Sequence, residues 1–215
     1  MRLASLCLAL FPACAQAHPH EFVEAALALH LDARGYLVAI DVTWRYDPFT
    51  TMLILSDLGL DPAAIDLPPE RAPQLQGFDM DWIEGYNGDI WPTFDGVEIA
   101  LAPPVAGAAE VIDGQVVSRH RRALTDPVDP RTGDLRLRVF DPEFYVAYTI
   151  AVPVEVSGAS NCIARVFGPD LEAAQAHLAA ALDELSGSVD IELNFPLVGE
   201  HFADEVVVSC SLSQS

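Results

Sequence analysis

Lysine is absent from this chain. All 11 basic residues are arginine, set against 32 aspartates and glutamates, for a formal net charge of −21 over 215 residues. Nucleic-acid partners are excluded on that ground, because phosphate backbones are held by clustered cations. Cysteine is scarce: there are four, and Cys7 and Cys14 fall at the very start of the chain. The remaining two, Cys162 and Cys210, lack the short ligand spacing of a thiolate metal site. Beyond the first dozen residues no apolar run approaches the roughly 20 residues that a membrane helix needs. No Gly-x-Ser-x-Gly, paired catalytic carboxylates or phosphate loop is present, and no repeat of 20 to 50 residues. Hydrolase and kinase readings therefore lack support, and the chain is not expected to be an enzyme.

What is present begins with a leader. Arg2, an apolar run from Leu3 to Phe11 and the small residues Ala15-Gln16-Ala17 form the three-part layout of a secretory signal peptide, with an h-region too short to span a bilayer. Cleavage after Ala17 is expected to leave about 200 residues, enough for a real core, in an exported, periplasmic setting. Phe11-Pro12-Ala13 is a poor context for lipid attachment at Cys14. In an oxidising compartment the two retained cysteines are expected to pair. A Cys162–Cys210 disulfide would close a loop of about 49 residues, which stabilises by about 4 kcal/mol in the chain-entropy picture.

That cleavage makes His18 the new terminus, followed by Pro19 and His20. An α-amine and two imidazoles then lie within three residues, all nitrogen ligands for zinc, copper or nickel. Histidine at a third position often binds copper or nickel through deprotonated backbone amides. Pro19 has no amide hydrogen to lose, so that mode is blocked. What remains is the amine, the His18 ring and the His20 imidazole. The alternative, a solvated floppy end, is opposed by the apolar segment that starts immediately at Phe22.

The rest reads as α+β: mostly antiparallel strands in one or two sheets, with helices at 47–58 and 170–185. Phe22–Leu31 and Tyr36–Trp44 are predicted strands around the turn Asp32-Ala33-Arg34-Gly35, the second facing the core through Val38, Ile40, Val42 and Trp44. His30 reads as an edge or surface histidine. Asp47 caps and Pro48 opens a helix carrying Met52, Leu53, Leu55 and Leu58, which Gly59 stops. Asp61–Pro73 holds a short turn of helix, and Gln74–Tyr86 reads as a second helix. Ile90–Phe94 and Val97–Leu101 are strands, Asp113-Gly114 a hairpin turn, and Asp126–Asp134 a loop without EF-hand spacing. Leu135–Phe140, Phe144–Val152, Val154–Val156 and Ile163–Phe167 are further strands. The final helix sets Leu171, Ala174, Leu178, Ala181, Leu182 and Leu185 on one face, with His177 exposed beside them. Val189–Leu193 and Glu205–Cys210 close the chain. A leader (1–17) is thus followed by regions 18–142 and 143–215, or by one continuous domain.

Several stretches occur together in one order: His18-Pro19-His20, Trp44-Arg45-Tyr46-Asp47-Pro48-Phe49, Phe140-Asp141-Pro142-Glu143-Phe144-Tyr145-Val146, Cys162, Gly199-Glu200-His201-Phe202-Ala203 and Cys210. In these the chain resembles the exported family DUF1007, across essentially all of its mature length. The resemblance implies a periplasmic component of a transport system encoded beside nickel/cobalt-type or zinc-type metal transporters. It carries over His18, His20, Asp47 and Asp141 as positions matching the family's motifs.

As metal ligands, Asp47 and Asp141 compete with structural duties, as helix cap and turn former. Either would also serve by accepting a ligand histidine's second ring N–H. His120, in the basic run Arg119-His120-Arg121-Arg122, and His201 are further imidazoles. The expected function is binding of a divalent transition metal, zinc before nickel, cobalt or copper, for supply to or acceptance from a membrane transporter. The alternatives are a copper oxidative enzyme with an N-terminal histidine brace and a metal-free envelope scaffold.

Overall fold

The computed structural model describes residues 18–78, 80, 82–83, 86–158, 161–185 and 194–211. The leader and the Val189–Leu193 strand lie outside the described residues. In chain order the elements are β1 (Glu21–Leu31), β2 (Leu37–Tyr46), α1 (Pro48–Asp57), α2 (Ala72–Leu75), β3 (Ile90–Phe94), β4 (Val97–Glu98), β5 (Val105–Ile112) and β6 (Gln115–Val128). They continue with β7 (Leu135–Val139), β8 (Val146–Ile150), β9 (Glu155–Ser157), β10 (Cys162–Phe167), α3 (Leu171–Leu185), a 3-10 turn (Gly199–Phe202) and β11 (Glu205–Cys210).

Two mixed or antiparallel sheets result, as the α+β reading expects. The first runs β5-β6-β2-β1-β8, with β9 also on β1; the second runs β10-β11-β7-β3-β4. β8 and β9 share one edge of β1, both parallel to it, β8 along Glu21–Ala25 and β9 along Ala28–His30. Strands from either side of position 142 pair within both sheets, and the buried faces of both sheets contribute to one apolar core.

The period-two pattern is clean in β1, which buries Val23, Ala25, Leu27, Leu29 and Leu31 and turns Phe22 and Glu24 outward. In β2 the expected inward set holds for Ile40, Val42 and Trp44 but not for Val38. A register irregularity against β6 between Leu37 and Ala39 puts those two residues inside instead; a bulge flips the side chains before it to the other face. Asp113 and Gly114, at φ 52° and 76°, make the β5–β6 hairpin turn, where two consecutive positive φ values suit the strand twist.

Three further expectations change. Among the described residues of 74–86 no helix continues past α2, which ends at Leu75; Gln76 is extended and Gly77 takes φ 79°. The strand from Val97 stops at Glu98, and β6 runs on to Val128 into the expected loop. α1 forms where predicted, under its Asp47 cap. Its buried residues are Thr50, Thr51 and Leu55, while Met52 and Leu53 face outward. The cause is polar: Thr51 Oγ1 accepts the Val116 amide at 3.0 Å, and Thr50 Oγ1 donates to Asp47 Oδ2 at 2.6 Å.

The disulfide joins Cys162 and Cys210, directly opposed residues of β10 and β11.

Candidate functional site

The N-terminal strand is seated by the loop that precedes β8. Asp141 shapes that loop: its Oδ1 accepts the Glu143 amide, and its Oδ2 accepts those of Tyr145 and Val146 at 2.8 and 3.1 Å. The Tyr145 carbonyl then accepts the amides of His20 and Glu21, at 2.8 and 3.3 Å. The chain is therefore anchored immediately after His18-Pro19. Gly199 fixes the opposite wall. A Cβ there would stand 1.8 Å from the Asp141 carbonyl oxygen, and the Gly199 amide donates to the Pro142 carbonyl. Only glycine allows this approach.

His18 is 7% exposed. Its ring lies 3.8 Å from that of Phe195, 4.8 Å edge-on from that of His20 and 5.7 Å from Tyr145, centroid to centroid. His20 is exposed and sits 4.6 Å from the Tyr145 ring. Both ring nitrogens of His18 are buried and have no hydrogen-bond partner. A buried polar atom left unpaired costs about 1–3 kcal/mol, so it marks a place where a ligand would be welcome.

The predicted carboxylates have other employment. Asp47 Oδ1 accepts from Phe49 N and Thr50 N, and Oδ2 accepts from Phe22 N and Thr50 Oγ1. A carboxylate offers about four lone-pair directions, so this one is filled, capping α1 and stitching it to β1. Burial pushes its pKa up, but the Thr50, Phe22 and Phe49 hydrogen bonds outweigh that and hold it below the usual range. Glu21, which the sequence reading missed, is held above the carboxylate range by burial and by the charges of Asp47 and Asp141, with His20 pulling the other way.

The other imidazoles stand elsewhere. His120 is buried against the edges of Trp44 and Trp82, each 5.1 Å away, and its Nε2 has no partner. Burial and the Arg122 charge lower its pKa to about 4, against a smaller upward pull from Asp41. His201 stacks face to face on His177 of α3 at 4.2 Å. His30 Nε2 lies 2.7 Å from Asp41 Oδ2 and its Nδ1 2.8 Å from Ser157 Oγ. That set looks like a nucleophile relay. It is instead a cross-strand ladder on the solvent face of the first sheet, in which Arg121 holds both Asp41 oxygens. Among the described residues, no three His, Cys, Asp or Glu side chains are grouped to hold a metal ion.

Sequence reasoning also missed Tyr145 and Phe195, the rings that bury His18; Tyr145 lies within the quoted Phe140–Val146 motif. It missed a cleft of about 760 Å³ on the outer face of the second sheet as well, lined by Trp91, Arg136, Arg138, Phe140, Leu197 and Glu205 among others. Its arginines are committed to Asp134, Glu200 and Glu205.

Fold and site together define a disulfide-bonded, two-sheet α+β protein with a seated His18-Pro19-His20 segment. The chain belongs to the family described as protein of unknown function (DUF1007), whose model matches residues 3–210. No curated protein matches it. No helix among the described residues is long and apolar enough to cross a membrane.

Proposed function

We propose that this is an exported, periplasmic metal-binding protein that carries a divalent transition metal for a membrane transporter. The metal is cargo, and the ligands are the α-amine freed by leader cleavage, the His18 ring and His20. One observation carries the reading: a 93%-buried histidine at the expected mature terminus keeps both ring nitrogens unpaired, beside a second imidazole. Neutral nitrogen donors suit zinc, nickel, cobalt and copper alike, and zinc is the cargo put first here. Two imidazoles and an amine leave a coordination position open, and an open site suits exchange better than the closed four-ligand sites that hold structural zinc. Asp141 acts by positioning, since its carboxylate forms the loop that anchors His20.

The test is calorimetric titration of zinc, nickel, cobalt and copper into the chain beginning at His18, against a twin carrying one extra residue before it. Tight binding by the first, lost in the second, supports the amine as ligand. Equal binding by both removes the N-terminal site, and no binding by either removes metal carriage altogether.

A further inference from the structure

Helix α1 buries Leu55 together with two threonines, and it also shows apolar side chains to solvent. It turns Thr50 and Thr51 inward and leaves Phe49, Met52 and Leu53 at 60%, 38% and 43% exposure. Positions 49, 52, 53, 56 and 57 form one stripe on a helix, so the outward face is three apolar side chains continued by Ser56 and Asp57. Phe22, 55% exposed, adjoins it, because Asp47 at the helix start binds the Phe22 amide. Next to Phe22 and Pro48 is a shallow cleft of about 410 Å³, floored in part by Ala147, Thr149 and Gln115. A soluble surface helix ordinarily keeps its outward face polar, and apolar patches of this kind mark interaction sites.

We infer that the Phe22–Phe49–Met52–Leu53 face docks a partner protein presenting an apolar centre flanked by arginine or lysine. Charge selects that occupant. Glu24 lines the cleft beside Phe22 and Asp57 ends the exposed stripe of α1, against Arg45, already 4.0 Å from Glu24, and Arg71, bonded to the Gly59 carbonyl. The last turn of α1 has no basic residue, so its carbonyl end adds partial negative charge that a cation would complement. A membrane surface is disfavoured, since helices that lie on bilayers carry lysine or arginine on their polar side. A second copy is disfavoured too, since pairing this face with itself would oppose like charges. The face begins two residues after His20, yet the inference stands on α1 and needs no metal.

The experiment uses the chain beginning at His18 and two probes: an amphipathic helical peptide with a leucine face flanked by lysines, and its twin with glutamates in their place. The lysine peptide should bind, and the glutamate twin should bind at least about tenfold more weakly. F49S/L53S should lose at least about tenfold in affinity for the lysine peptide with its melting temperature kept. M52S, a smaller change, should lose part of it. Binding retained by F49S/L53S would reduce the attraction to the chain's general acidity and overturn the proposal. So would failure of both peptides to bind, a dimer in sedimentation equilibrium that F49S/L53S dissolves, or co-sedimentation with phosphatidylglycerol vesicles. Zinc titration of F49S/L53S runs alongside: unchanged metal binding there keeps the two readings separable, whichever of them fails.

Discussion

His120 and Glu21 carry opposite pH signatures. His120 is 3% exposed between Trp44 and Trp82, with a pKa lowered to about 4. Between pH 6.5 and 4 the unfolded chain takes up a proton that the folded one refuses, so this residue's stability contribution, complete above pH 6.5, falls by about 1.4 kcal/mol per pH unit. Urea unfolding across that window should show a shallower acid decline in His120→Leu than in the parent; an identical slope would move the proton uptake elsewhere. Glu21 is held above its ordinary range by burial, Asp47 and Asp141. The contribution its protonated form makes in acid is lost as pH rises through the folded pKa, leaving a cost at neutrality. Glu21→Gln should therefore melt above the parent at pH 7 and converge with it in acid, as followed by circular dichroism. At this scale the sequence exposed the two histidines, because a His-Pro-His following an Ala-x-Ala pattern is a local signal. It could not expose Phe195 or the Tyr145 carbonyl, which reach His18 and His20 from distant parts of the chain.

Among elements, α1 shows what local signals decide and what they leave open. Its start, its stop and its Asp47 cap were legible, because capping and the Gly59 stop depend on neighbours in sequence. Its rotation was not, because Thr51 points inward to meet Val116, 65 residues further along. Asp47→Ala should cost about 2 kcal/mol, one part for the cap and one for the bond to Phe22. Asp47→Asn, which still caps, should recover most of the cap. Denaturant midpoints of both variants test this; equal losses would mean that the carboxylate charge, not the hydrogen bonding, matters. The helix expected over Gln74–Tyr86 stops at Leu75 for a local reason, since Gln76 is extended and Gly77 takes a left-handed conformation. The turn at Gly199 permits a tighter forecast. Gly199→Ala drives a methyl into the Asp141 carbonyl, and crowding of this kind costs about 1–3 kcal/mol. Its thermal melt should drop accordingly; an unchanged melt would mean that the Asp141 loop can give way.

For the whole molecule, the excess of acid sets the response to salt. Raising NaCl from 0.1 to 1 M shortens the screening length from about 10 to about 3 Å, which relieves self-repulsion in a chain of formal charge −21. The same salt weakens exposed ion pairs such as Arg131–Asp129 and Arg136–Asp134, which solvent already screens. The repulsion should win, and the melting temperature should climb with salt; a fall would mean that the ion pairs dominate. The β1–β2 hairpin and the Asp113-Gly114 turn between β5 and β6 were readable because both turns are short. That β8 and β9 run parallel along β1, and that β7 lies between β3 and β11, depends on pairings between distant segments that no local signal specifies. The Cys162–Cys210 bond makes one last thing of this architecture: β10, α3, the Gly199–Phe202 turn and β11 lie inside a covalent ring. A protease that severs one peptide bond in that ring frees no fragment, so the cut molecule keeps its mass, plus one water, until the bridge is reduced.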